Sequence, residues 1–322
     1  MILTVTLNTA LDITYRVRGL RPHASHRVSE VVERPGGKGV NVARVLAALG
    51  HRVTVTGFAG GATGEVLRER LSDGVPGSVL RERPAGGGGP VDALVPVSGA
   101  TRRTIAIVDE LTGDTTQLNE PGPQIAPAEW GTFLDRYEEL LAGASAVALC
   151  GSLPPGVPVG AYANLVRAAR AAGVPVLLDT SGEPLRRGVA ARPDVIKPNA
   201  DELAELTGSH DPSRATRDAR RRGAHAVVAS LGAEGLLAVT PEGHWRAVPP
   251  ARLTGNPTGA GDSAVAGLLS GLVERLSWPD RLLRAAALSA ATVRAATAGD
   301  FDPAAYRDLL GRVAVSGEAG AA

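Results

Sequence analysis

Apolar positions along this chain follow two alternating rhythms. Short continuous runs such as Ile2–Leu7 and Val53–Phe58 predict strands buried on both faces. Each is followed by a stretch with helical spacing. Val42, Val45, Leu46 and Leu49 share one face of a helix over Val40–Leu49 that stops at Gly50, and Gly64–Leu71 predicts a second helix. The alternation resumes through Ala146–Cys150, Tyr162–Ala172, Val174–Asp179, Asp194–Ile196, Asp201–Leu206 and Ala226–Ser230. Such a sequence of elements predicts an α/β fold, a mostly parallel sheet with helices packed against it. Asp262–Leu276 and Asp280–Ala296 are expected to be helical and alanine-rich.

Two stretches break the rhythm, residues 12–34 and 91–119. Ile13–Val17 and Thr104–Val108 alternate in part, so both predict antiparallel strands of a small sheet projecting from the main body as a lid. Between them Pro84–Pro90 carries Gly86–Gly89, a loop with no packing capacity that either eases lid movement or is an inert insertion. Residues 316–322 are small and polar, and are expected to be a disordered tail on a single domain spanning 1–322.

Composition narrows the function. Net charge is +1 from 34 basic and 33 acidic side chains, which offers no nucleic-acid or membrane surface. No apolar run spans a bilayer, the N-terminus reads as a strand, and the single cysteine, Cys150, fits a reducing compartment as a buried strand residue. A cytoplasmic protein is expected. Only two lysines, Lys38 and Lys197, stand among the 34 basic side chains, the rest being arginine. Both lie in motif-like segments, Gly36-Gly37-Lys38-Gly39-Val40-Asn41 and Ile196-Lys197-Pro198-Asn199, where a tight site can demand the compact ammonium.

The chemistry concentrates at Asn256-Pro257-Thr258-Gly259-Ala260-Gly261-Asp262-Ser263. Small residues at a helix start expose unpaired backbone N–H groups to an anion. A carboxylate one residue on repels a resting phosphate but suits taking a proton from a hydroxyl that attacks phosphorus. The alternative is a glycine-rich turn with Asp262 as a helix cap.

Together the two glycine-rich segments resemble the signatures of the ribokinase-like (PfkB) carbohydrate kinases. Leu7-Asn8-Thr9-Ala10-Leu11-Asp12, Asn119-Glu120-Pro121-Gly122-Pro123, Gly151-Ser152-Leu153-Pro154-Pro155-Gly156, Lys197–Leu203 and Ser230–Gly235 resemble the phosphofructokinase branch, with its 1-phosphofructokinases and tagatose-6-phosphate kinases. The resemblance covers nearly the whole chain. It implies a central mostly parallel sheet, a β lid over the sugar, and ATP and Mg²⁺ as cofactors; because a small sheet alone leaves edges and one apolar face unprotected, a homodimer contacting through the lids is expected as well. It implies Asp262 as the catalytic base and Gly259, Ala260 and Gly261 as the anion hole. Asn199 and Glu202 match the magnesium-positioning pair, and Lys197, Asn199, Ser230, Gly232, Gly235 and Thr258 the ATP site. Asp12, Gly37, Lys38 and Asn41 match the sugar site, with Arg27, Arg102 and Lys38 for a phosphate already on the substrate. The expected reaction phosphorylates the free primary hydroxyl of tagatose 6-phosphate or fructose 1-phosphate, giving the 1,6-bisphosphate. The opening Met1-Ile2-Leu3-Thr4 and the stretch around Arg102 lean towards tagatose 6-phosphate. Fructose 6-phosphate, ribose, or a non-catalytic sugar sensor are the alternatives. Thr9 and Thr104 depart from the family's Pro and Asn. A dinucleotide-binding oxidoreductase is disfavoured because the turn after the first strand has no glycine, and a Walker-type NTPase because no Gly-Lys-Ser/Thr occurs.

Overall fold

The computed structural model describes residues 1–72, 89–250, 255–295 and 299–319. The chain opens with β1 (Ile2–Thr6), β2 (Ala10–Val17), β3 (Val28–Gly36), α1 (Lys38–Ala48), β4 (Val53–Ala59) and α2 (Gly61–Ser72). Then come β5 (Val91–Asp92), β6 (Val95–Pro96), β7 (Arg102–Asp109), β8 (Thr115–Asn119), α3 (Pro127–Leu141), β9 (Ala146–Cys150), α4 (Ala161–Ala171), β10 (Val176–Asp179) and α5 (Gly182–Ala190). The last part holds β11 (Val195–Ile196), α6 (Ala200–Thr207), α7 (Pro212–Arg221), β12 (Ala226–Ser230), β13 (Leu236–Thr240), β14 (Gly243–Val248), α8 (Ala260–Val273), α9 (Trp278–Val293), α10 (Pro303–Leu310) and β15 (Ala314–Ala319).

The described residues build one large sheet in the order β15-β14-β13-β12-β11-β10-β9-β1-β4-β5, with β6 also paired to β4. It is parallel from β12 through β5 and antiparallel from β12 to β15. Successive strand residues feed opposite faces. Ala146, Ala148 and Cys150 pack with α1, α2 and α8–α10, whereas Val147 and Leu149 pack with α3–α7. This two-sided burial explains the unbroken apolar runs. Cys150 is fully buried, and burial raises its thiol pKa well above the ordinary value.

A second sheet, β3-β2-β7-β8, stands apart. Three features differ from the expectation. First, β2 and β7 pair in parallel, because a long excursion through α1, β4 and α2 separates them and brings the chain back to start β7 at the same end. Second, Val91–Pro96 leave the small sheet and extend the large one beside β4, where Leu94 and Val95 are buried. Third, Ser316–Ala319 are not disordered: they form the end of β15 and pair with β14, whose outer edge would otherwise be unpaired. Of the remaining expectations, Gly86–Gly88 and residues 320–322 lie outside the described residues.

Candidate active site

Parallel strands deliver their C-terminal ends to one edge of a sheet, and ligands of α/β proteins bind in the crevice there. Here β10 ends in Asp179, β11 runs into Lys197 and Asn199, and β12 ends in Ser230. Across from them the small sheet presents Asp12 and Arg102, in register on β2 and β7 with Thr104 and Ala10. The cleft between them measures about 910 Å³, at the upper end for small-molecule sites. Asp12, Gly37, Lys38, Asn41, Arg102, Lys197, Asn199, Glu202, Ser230, Gly232, Gly235, Thr258, Gly259, Ala260, Gly261 and Asp262 all line it. Arg27 does not. It is exposed, in the connection between β2 and β3, and stands outside the lining of the cleft of its own chain.

The Asn256–Ser263 segment folds as its composition predicts. Gly259 caps α8 with φ +86°, a left-handed conformation, and any side chain there would strike the Gly299 backbone. The Ala260 N–H donates to the Pro257 carbonyl at 3.0 Å and the Ser263 N–H to the Gly259 carbonyl at 2.9 Å. The Gly259, Gly261 and Asp262 N–H groups are left without an acceptor among the described residues. These, rather than the Ala260 amide, are the donors free for an anion. The Lys197 ammonium sits beside them, 3.6 Å from where a methyl on Gly261 would lie.

Asp262 is buried in the first turn of α8, and its Oδ2 accepts a 2.9 Å hydrogen bond from Asn41 Nδ2. Burial, reinforced by the charge of Asp179, raises its pKa from 3.8 to about 7, against the opposing pull of Lys38, Asn41 and Lys197. A carboxylate so poised suits a proton acceptor near neutral pH.

Asp179 is the site residue that the sequence reading missed. It is 1% exposed and draws both lysines of the chain to itself, Lys38 Nζ at 3.3 Å and Lys197 Nζ at 3.5 Å. Burial alone would lower the Lys38 pKa, but the carboxylates of Asp179, Asp262 and Glu202 more than offset it and raise it. The available signal was a carboxylate closing an apolar strand run, Val174–Asp179. This shared anion accounts for why both lysines resisted the bias to arginine: two ammonium groups converge on one buried carboxylate, a fit that two larger planar guanidinium groups would not make.

Under the small sheet, burial raises the Asp12 pKa to about 6, while Thr104, Arg102 and Arg44 oppose the shift. Among the described residues Arg102 hydrogen-bonds neutral oxygens, Thr104 Oγ1 at 3.2 Å, Asn8 O at 3.3 Å and Glu120 O at 3.5 Å, with the Asp12 and Glu120 carboxylates near enough to act on its charge without a hydrogen bond. Thr104 thus holds Arg102 from the position where an Asn was expected. The Thr9 hydroxyl donates to the buried Phe58 carbonyl, away from the cleft. Asn8 joins two of the quoted motifs, donating at 3.1 Å to both Pro121 O and Ser152 Oγ.

Asn199 and Glu202 form a reciprocal cap at the start of α6: Glu202 N–H donates to Asn199 Oδ1 at 2.8 Å and Asn199 N–H to Glu202 Oε2 at 2.9 Å. Glu202 Oε1 keeps no hydrogen-bond partner among the described residues, and no cluster of three His, Cys, Asp or Glu side chains that could hold a metal occurs among them. One free carboxylate oxygen fits a magnesium ion that keeps its waters and is held mainly by nucleotide phosphates.

A family described as pfkB family carbohydrate kinase matches residues 5–80 and 91–305. The chain is 41% identical over 274 residues to a 1-phosphofructokinase of Rhodobacter capsulatus, covering 83% of this chain and 82% of that protein. Among solved structures, Escherichia coli phosphofructokinase-2 in complex with fructose-6-phosphate superimposes with a TM-score of 0.83 at 29% identity, over 96% of this chain and 98% of that one. A Thermotoga maritima protein described as a possible 1-phosphofructokinase gives 0.82 at 28%, over 98% and 99%. No helix of the described residues is long and apolar enough to cross a membrane.

Proposed function

The chain belongs to the pfkB family of carbohydrate kinases, phosphotransferases that act on an alcohol, and from that premise we propose that it transfers the γ-phosphoryl group of ATP to the free primary hydroxyl of a ketohexose monophosphate, giving the 1,6-bisphosphate. The observation that carries the reading is Asp262: a buried carboxyl with a pKa of about 7, oriented by Asn41, one residue from free N–H donors and beside Lys197. Asp262 accepts the proton of the attacking hydroxyl. The Gly261 and Asp262 N–H groups and Lys197 oppose the charge that spreads over the phosphoryl oxygens in transit. Magnesium, when bound beside Glu202, would neutralise nucleotide phosphate charge.

Asp12 accepts hydrogen bonds from the sugar hydroxyls, and Arg102 holds the phosphate already present. Fructose 1-phosphate is the first choice of substrate, supported by the name of the Rhodobacter relative, and tagatose 6-phosphate the second. Each has a phosphate at one end and a free CH₂OH at the other. Comparing kcat/KM for fructose 1-phosphate, fructose 6-phosphate, tagatose 6-phosphate and ribose tests the reading. Turnover of ribose with none of the ketohexose phosphates refutes it, and turnover confined to fructose 6-phosphate refutes only the choice of fructose 1-phosphate as first substrate.

Register places Ile13, Tyr15, Val31, Ile105, Ile107 and Leu118 on the face of the small sheet turned away from Asp12 and Arg102. Val31 and Leu118 are 56% and 53% exposed. A homodimer pairing these faces would cover them. A monomer by light scattering at micromolar concentration refutes that arrangement.

A further inference from the structure

Asp300 lies outside the cleft, in the turn between α9 and α10, and no motif drew attention to it. Its two carboxylate oxygens are divided between two arginines distant in sequence: Oδ2 pairs with Arg34 Nη1 and Oδ1 with Arg44 Nη2. Arg34 is on β3 of the small sheet, directly opposite Asp12. Arg44 is buried on α1, one turn beyond Asn41, the residue that holds Asp262.

The residue before Asp300 touches the phosphoryl site itself. Gly299 N–H donates to Thr258 O at 3.2 Å. The Gly299 backbone lies so close to Gly259 that a methyl on Gly259 would come within 2.6 Å of it, and a methyl on Gly299 would come within 3.0 Å of Asn41 Oδ1. One carboxylate therefore ties together the sheet that roofs the sugar, the helix that orients Asp262, and the loop whose amides face the phosphoryl group.

We propose that Asp300 is a positioning residue that registers the small sheet against the Thr258–Asp262 loop, so that the placement of the acceptor sugar and the placement of the amide donors are set together. Without its charge, Arg34 and the buried Arg44 lose the carboxylate they share, with Asp12 still attracting Arg44, and β3 and the loop lose this anchor. The inference rests on the kinase reading above.

The test compares Asp300→Asn, Asp300→Glu and Arg34→Gln in the full chain. Steady-state kinetics give kcat and the separate KM values for fructose 1-phosphate and ATP, and amide hydrogen exchange follows residues 258–262. Asp300→Asn should lower kcat and raise the sugar KM by roughly tenfold combined, with the ATP KM within about twofold. Asp300→Glu should restore most of the loss. Arg34→Gln should raise the sugar KM and, combined with Asp300→Asn, add little further. Exchange at 258–262 should rise in Asp300→Asn and Arg34→Gln but not in Asp300→Glu. A variant that only loses thermal stability, with kcat, KM and local exchange unchanged, overturns the proposal, as do additive effects of the two substitutions. Should Asp300→Asn fail to fold, Arg34→Gln decides by the same exchange readout. If wild type phosphorylates none of the ketohexose phosphates, the proposed function fails while the exchange comparison still decides the role of Asp300.

Discussion

Replacing Asp262 with Asn should make the protein more stable and almost inactive at the same time. Burial, with help from Asp179, moves the folded carboxyl from 3.8 to about 7. At about 1.4 kcal/mol per pH unit, the ionised group costs the fold on the order of 4 kcal/mol above pH 7. The direction follows from proton binding. Between pH 3.8 and about 7 the folded protein keeps a proton that the unfolded chain has released, so this group favours folding fully below 3.8 and loses that effect as pH rises to about 7. The neutral amide in Asp262→Asn carries no such penalty. Thermal unfolding at pH 8 should place the variant above wild type by roughly 5–15 °C, and the gap should close towards pH 4. Its kcat should fall by roughly 10²–10⁴, the scale for a lost general base. In wild type, kcat/KM, which reports the free enzyme, should rise with pH, reach half its maximum near 7 and level off above it. A variant no more stable than wild type at pH 8, or one with near-normal turnover, would show that the buried carboxylate is neither strained nor the base.

Glu202→Gln keeps a side chain able to cap α6, so unfolding should change by less than about 0.5 kcal/mol while the magnesium concentration for half-maximal rate rises; Glu202→Ala should lose about 1 kcal/mol of stability as well. Arg102→Ala should weaken fructose 1-phosphate binding by about 1.5–3 kcal/mol and leave ATP affinity nearly unchanged by calorimetry; equal losses would place Arg102 in the scaffold. Asp179→Asn strips the buried Lys197 of its counter-charge and should cost about 3–5 kcal/mol in denaturant unfolding. The same change removes a charge that raises the Asp262 pKa, so the midpoint of the pH–rate profile should move to lower pH.

The α/β alternation was readable because a strand buried on both faces must be apolar throughout and a helix between sheet and solvent must carry a stripe; both are local patterns. Gly259–Asp262 was readable because small residues at a helix start let an anion approach the unpaired backbone N–H groups, and α8 begins there. The two lysines were readable as exceptions, but not their reason, since Asp179 is 141 residues from Lys38 and only the adjacency of β9 and β10 brings them together. Spacing announced Asn199 and Glu202 as a pair, yet the same spacing serves a helix cap, and hydrogen-bond geometry was needed to show which oxygen remains free. Register and strand direction were out of reach. The parallel β2–β7 pair, the departure of Val91–Pro96 to the large sheet and the pairing of β15 each depend on partners far along the chain. Local sequence thus determined which segments are strands or helices and where an anion could meet a base. Tertiary structure alone decided which strands pair, that Arg27 falls outside the cleft of its own chain, and that Asp300 meets Arg34 and Arg44, because those outcomes depend on packing between segments that no local hydrogen bond or hydrophobic period connects.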